Sequence, residues 1–167
     1  MKISVRRSKG NKKVRNATRL EVGGIKFRSK LEAFTYSKLI EAGITDFDYE
    51  KDKFVLQEAF EYPEESFEMY QSKKDGHMKR YFEDVNHNIR SMTYLPDFTR
   101  INHETKLGWI LEVKGYATNS FDLKWKLFKK YLVLSGYKAT LYKPDNQGNV
   151  LKTINLIKNK YYGGTTV

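Results

Sequence analysis

The chain has no cysteine. Disulfides, thiolate metal sites, zinc fingers and cysteine nucleophiles are therefore excluded, and the absence agrees with a reducing compartment. Long apolar runs are missing too: none approaches the ~20 residues that cross a bilayer. Residues 1–10 carry charge and no apolar stretch, so no secretory signal is expected. There is no Walker loop, since Gly23-Gly24 and Gly163-Gly164 are isolated pairs, and no Gly-x-Ser-x-Gly elbow. His77, His87 and His103 lie in polar stretches at spacings that fit no metal motif. The expectation is a cytoplasmic protein with no membrane partner.

Acid is scarce in one place. Residues 1–19 hold eight Lys/Arg, including Arg6, Arg7, Lys9, Lys12, Lys13 and Arg15, and no Asp or Glu. The net charge is +11 overall but only +3 over the other 148 residues. Such arms bind nucleic acid or anionic membranes. This one lacks bulky aromatics and an amphipathic period, which favours nucleic acid over a membrane or an inert tail.

With 40% apolar and 14% aromatic residues, there is enough to build one core. The expected organisation is a basic arm over 1–19, one domain over 20–160 with an excursion at about 63–84, and a tail over 161–167. Ser29 caps and Gly43 stops a predicted helix over 29–42. Strand character follows over 54–62, 90–101 and 109–114. Residues 63–84 are polar with an Asp75-Gly76 turn signal, and read as a hairpin or a short helix. A second helix runs from Asn119 or Ser120 to Ser135, with Gly136 as its stop. Strands are expected over 137–143 and 150–157, around a turn at 145–148. Helix, strands, helix, strands predicts an α/β (α+β) fold with a mixed sheet flanked by helices.

Two short apolar segments carry the chemistry: Leu95-Pro96-Asp97-Phe98 and Ile110-Leu111-Glu112-Val113-Lys114-Gly115. Strand alternation puts Glu112 and Lys114 on the face of Ile110, and Trp109, Leu111 and Val113 on the other. The plain reading of Glu112 and Lys114 is a surface ion pair worth about 0–1 kcal/mol. Asp97 points further. A neighbouring strand brings it close to Glu112, and two such carboxylates repel unless a cation or proton intervenes. Oxygen ligands suit magnesium or manganese rather than zinc.

Two more residues stand out on helical wheels. Over 29–42, Glu32 falls inside the apolar arc, between Leu39 and Tyr36. It either closes an S-x-x-E capping box with Ser29 or joins Asp97 and Glu112 at a metal. Over 121–134, Lys124 lies inside a broad arc of Phe121, Trp125, Phe128, Leu132, Tyr131, Leu127, Leu134 and Leu123. It either snorkels at the helix start or reaches the Glu112 and Lys114 site. Lys126, Lys129 and Lys130 lie opposite, on a solvated basic face.

Together, Glu32, Pro96-Asp97 and Glu112-x-Lys114 resemble the ordered motif of the PD-(D/E)xK nuclease superfamily, and in particular small phage endonucleases of the endonuclease I and Holliday-junction-resolvase type. The match covers roughly 20–145. The resemblance implies a restriction-endonuclease-like αβββαβ core and Mg2+-dependent cleavage of DNA phosphodiesters, with Mn2+ able to substitute. It implies that Asp97 and Glu112 ligate the metal, that Glu32 completes the site with help from the Val113 carbonyl, and that Lys114 orients or deprotonates the attacking water. It further implies a homodimer acting on four-way junctions or other branched DNA, with the arm and the 126–130 face gripping phosphates. The 63–84 excursion is not part of the minimal family core. A restriction- or transposition-type endonuclease is the enzymatic alternative. A non-catalytic nucleic-acid-binding protein is the other, built on the arm and on 12 Tyr, 10 Phe and 2 Trp as stacking platforms.

Overall fold

The computed structural model describes residues 20–74, 76–85, 87–115 and 119–163. A short hairpin, β1 (Leu20–Val22) and β2 (Ile25–Phe27), leads into helix α1 (Lys30–Glu41). Ser29 caps α1 as predicted: its Oγ accepts the Glu32 N–H at 3.2 Å. Gly43, at φ +80°, follows its end. Next come β3 (Asp48–Tyr49), β4 (Phe54–Gln57) and β5 (Phe60–Glu61). A long hairpin, β6 (Phe67–Lys74) and β7 (His77–Asp84), precedes β8 (Asn88–Ile89) and β9 (Met92–Tyr94). Strands β10 (Phe98–Asn102) and β11 (Leu107–Leu111) are followed by α2 (Asn119–Leu134), β12 (Lys138–Tyr142) and α3 (Gln147–Ile157). A π-helical turn over Lys158–Tyr162 extends α3. The protein is α+β with a mixed sheet and a few helices.

The central sheet has four strands in the order β12-β11-β10-β3. Strand β10 is antiparallel to both β3 and β11, whereas β11 and β12 are parallel and joined by α2. Alternation along β11 divides the interior as expected. Trp109, Leu111 and Val113 pack on one side with Phe27, Leu39, Phe98, Val150 and Ile154, drawn largely from α1 and α3. Ile110 packs on the other with Phe54, Tyr94, Phe121, Trp125 and Phe128. The face that Glu112 and Lys114 share with Ile110 is therefore covered by α2 at Ile110, and it reaches solvent only toward Lys114, which is half-buried. Gly108 is required within β11: at φ +150°, a Cβ would lie 1.9 Å from the Arg100 carbonyl oxygen.

Several predicted elements are corrected. The strand expected over 150–157 is helical. Asn146 caps α3, its side chain accepting the Asn149 N–H at 2.9 Å. Val150, Thr153, Ile154 and Ile157 are buried at helical spacing. Their β-branched side chains favour strands intrinsically, but burial against α1 outweighs that preference. The strand over 54–62 is broken into β4 and β5. The strand over 90–101 is interrupted at 95–97, where Pro96 cannot donate to a ladder. The strand over 109–114 ends its ladder at Leu111, leaving Glu112 and Lys114 just beyond it. The 63–84 excursion is a hairpin. Tyr161 and Tyr162 pack against the first core, so packing continues past residue 160.

Candidate active site

The ladder of β10 and β11 closes on the pair Phe98↔Leu111. One step further in the same register, Asp97 faces Glu112, and opposed residues in an antiparallel pair share a face. The two ends are tied together. The Val113 N–H donates to Asp97 Oδ2 at 2.6 Å, and the Asp97 N–H is directed at the Glu112 carboxylate. Pro96 is buried and positions this corner, while Asp97 itself keeps a partly exposed surface.

Both carboxyls are driven toward their protonated forms. Burial, then the facing Glu112 charge, lift Asp97 well above the usual carboxylate value of 3.8, against the pull of the Val113 N–H. Glu32 and Glu50 add to the lift. Burial also raises Glu112, with the Tyr94 hydroxyl, the Lys114 ammonium and the Asp97 N–H opposing it. The Tyr94 phenol sits beside Glu112 and is itself raised by burial and by that charge. Yet Tyr94 OH and Glu112 Oε2 are buried without a hydrogen-bond partner among the described residues.

Lys114 emerges beside Glu112 and lays its Nζ over the Phe121 ring, 4.9 Å from the centroid. Lys143, from the end of the parallel strand, caps the same ring at 5.4 Å and lies 3.8 Å from Asp122 Oδ1. A cationic pair thus borders the acids at the start of α2.

Glu32 is buried and is held by protein donors on both oxygens. Ser29 Oγ donates to Oε1 at 2.7 Å. The Arg28 N–H and Tyr49 OH donate to Oε2 at 3.0 and 2.7 Å. The capping role is therefore made, in a variant where the return bond goes to the Arg28 amide. Glu32 still acts on the site, since its charge raises both Asp97 and Glu112. Glu50 is a further neighbour, paired with Arg28 at 3.0 Å and donating its N–H to the Asp97 carbonyl at 2.9 Å. It holds a left-handed φ of +46° that non-glycine residues seldom adopt. Among the described residues, no three His, Asp or Glu side chains converge as a ready-made metal cage.

The remaining predicted residues sort clearly. Lys124 is exposed, contrary to its place in a broad buried arc. The stripe that α2 buries is narrower (Phe121, Trp125, Phe128 and Leu132), and Leu123 and Leu134 are exposed with it. Lys124 makes no hydrogen bond or ion pair among the described residues. Lys126, Lys129 and Lys130 are exposed as expected, with Lys129 over the Trp125 ring at 5.7 Å. Arg6, Arg7, Lys9, Lys12, Lys13 and Arg15 lie outside the described residues. Sequence reasoning missed Tyr94, Tyr49, Glu50 and Lys143. A tyrosine in an apolar strand reads as core, and nothing local in Glu50 or Lys143 announces a role. Only Tyr94, three residues before Asp97, had a usable signal: a hydroxyl on a buried strand needs a partner.

No helix is long and apolar enough to cross a membrane among the described residues. No curated protein and no solved structure matches the chain. Residues 12–143 match the family model described as Protein of unknown function (DUF1064), and the chain belongs to that family.

Proposed function

We propose that this chain is a divalent-metal-dependent DNA endonuclease that cuts branched DNA, four-way junctions foremost, by phosphodiester hydrolysis. The observation that carries the reading is the Asp97 and Glu112 pair opposed at the end of β10 and β11, with Lys114 beside it. The order α1, β3, β10, β11, α2, β12 supports a restriction-endonuclease-like αβββαβ core, with β1, β2 and the 54–94 strands as additions.

The donor set fits magnesium or manganese. All the acidic donors are hard oxygens, the pair repels itself without a counter-charge, and Glu112 Oε2 makes no geometric hydrogen bond among the described residues. Magnesium ordinarily keeps several waters and takes one or two carboxylates, so a third converging acid is not required. Asp97 and Glu112 would hold the ion, with the Val113 carbonyl adjacent and Glu32 adding field from the α1 side. When bound, such an ion supplies Lewis acidity and acidifies water. Lys114 holds a positive charge where the attacked phosphate gains negative charge, and orients the attacking water. Tyr94 and the α2 aromatics exclude bulk water from the acid pair. Lys126, Lys129 and Lys130 grip phosphates and position the duplex without reading sequence.

The full set of protein donors on Glu32 favours the alternative of a non-catalytic DNA-binding protein, in which the acids are structural. One assay separates the two: a four-way junction and a matched linear duplex, each with and without magnesium. Metal-dependent cutting of the junction, lost in Asp97→Ala and Glu112→Ala while binding survives, supports the nuclease. If magnesium and manganese both leave branched, duplex and single-stranded DNA intact, the reading fails.

A further inference from the structure

The row that Asp97 and Glu112 begin has a third member. Strands β11 and β12 are parallel, and their ladder ends on the pair Leu111↔Tyr142. Hydrogen bonding continues past that pair. The Glu112 N–H donates to the Tyr142 carbonyl and the Lys114 N–H to the Pro144 carbonyl, each at 3.0 Å. These bonds carry the register one step on, to Glu112 opposite Lys143. Paired residues of neighbouring strands share a face. Leu141, two residues back on β12, packs on that face with Ile110, in agreement with the alternation. Asp97, Glu112 and Lys143 therefore stand in one row across the ends of three adjacent strands. Pro144 is buried and has no N–H to extend the ladder, so the register stops there with Lys143 fixed beside the acids.

The Nζ atoms of Lys143 and Lys114 lie over one ring, Phe121, at 5.4 and 4.9 Å from its centroid. Two ammoniums sharing a ring repel each other. The acid beside Lys143 is Asp122, 3.8 Å away at the limit of an ion pair, and both side chains are partly exposed. Such a pair is weak and screened by solvent. Lys114 acts on Glu112. Lys143 is rooted one strand spacing beyond Glu112, about 4.8 Å, and leans toward Asp122 on α2. An anion at the lysines relieves their repulsion, and a nucleic-acid strand offers one phosphate after another: one for the acids and Lys114, the next for Lys143. We propose that Lys143 is a substrate-binding residue of this site, holding the phosphate next to the one that is cut. The site then takes a polynucleotide strand in preference to an isolated phosphodiester. The inference rests on the nuclease reading and adds a residue that lies outside the Glu112-x-Lys114 motif.

A four-way junction carrying one methylphosphonate, which removes the charge of a single phosphate, tests it. The uncharged group is placed on each side of the mapped cut in turn. Binding is titrated in chelator, and single-turnover cleavage is followed with magnesium. Lys143→Ala should bind the unmodified junction about tenfold more weakly, the scale of one charge-assisted hydrogen bond. Its thermal transition and its cleavage rate at saturation should match the wild type. One of the two methylphosphonates should cost the wild type a similar factor and cost Lys143→Ala nothing further, because the contact is already gone. Lys143→Arg should bind like wild type. Asp122→Asn, which frees the ammonium, should bind no more weakly than wild type. Lys143→Ala binding like wild type, or lysine and methylphosphonate losses that add, overturns the proposal. So does an Asp122→Asn loss as large as that of Lys143→Ala, which would make the ion pair structural. A wild type that binds the junction and never cuts it ends the nuclease reading and this inference together, whereas a cutting wild type matched by Lys143→Ala in binding ends this inference alone.

Discussion

Asp97 and Glu112 face each other one step past the last pair of the β10–β11 ladder, and each is clasped by the other strand's backbone. Burial raises both carboxyls above their ordinary values of 3.8 and 4.5, with the Glu112 charge adding to the lift of Asp97 and the Glu32 charge to the lift of both. A raised carboxyl stabilises the fold fully below its unfolded-state value. That contribution is lost as pH climbs through the raised, folded-state value. Metal-free protein should therefore lose stability as pH rises from about 4 toward neutrality. Asp97→Asn should flatten that fall and raise the neutral-pH melting temperature, since an amide oxygen still accepts the Val113 N–H. Thermal melts in chelator across pH check this. A variant that melts lower than wild type at pH 7 would contradict it. Magnesium should stabilise the wild type and not this variant.

On the proposed nuclease reading, Lys114 is the charge that meets the attacked phosphate. Lys114→Ala should lower the single-turnover cleavage rate by about 10²–10³, the scale of losing one preorganised charge-stabilising group. Junction affinity should change little. Measuring rate and affinity on the same substrate separates the two, and a loss confined to affinity would reassign Lys114 to DNA binding.

Ser29 and Glu32 divide the cap from the site. Ser29→Ala removes the acceptor for the Glu32 N–H and a donor to Oε1, and should cost about 1 kcal/mol of stability with cleavage retained. Glu32→Gln keeps an acceptor for its donors but removes a charge that acts on Asp97 and Glu112. It should raise the magnesium concentration for half-maximal cleavage with only a small change in melting temperature. An unchanged magnesium dependence would leave Glu32 as a capping residue alone.

The basic arm is tested by its salt dependence. Removing residues 1–19 should weaken DNA binding for all sequences and flatten the slope of log affinity against log salt, by roughly 0.9 for each duplex phosphate that the arm neutralises. Titrations at several salt concentrations measure it. An unchanged slope would mean that the arm touches no phosphate.

Much of the site was legible locally. Ser29 and Gly43 bracket α1, and Gly136 follows the end of α2, because caps and left-handed stops depend on neighbours within a turn. The alternation of Trp109, Ile110 and Leu111 divided the two cores, and Asp97 and Glu112 stood out as acids on apolar segments. The α3 error arose where intrinsic preference and packing disagreed. Val150, Ile154 and Ile157 favour a strand one by one, but their spacing buries one helical face. Lys124 lies outside the buried stripe, in keeping with the snorkelling alternative, because a wheel shows which residues are apolar, not how wide a stripe the sheet covers.

By itself the sequence determined the absence of thiol chemistry, the basic arm, the two helix frames and the identity of the acids, since composition, capping and periodicity are properties of neighbours in the chain. Only the tertiary structure decided that Asp97 opposes Glu112, that Glu32 is tied to Tyr49, that Tyr94 shares the Glu112 pocket and that the β6–β7 arm stands clear of the cores. Those relationships depend on strand register and on which faces find a partner. Both are settled by long-range burial that no local pattern encodes.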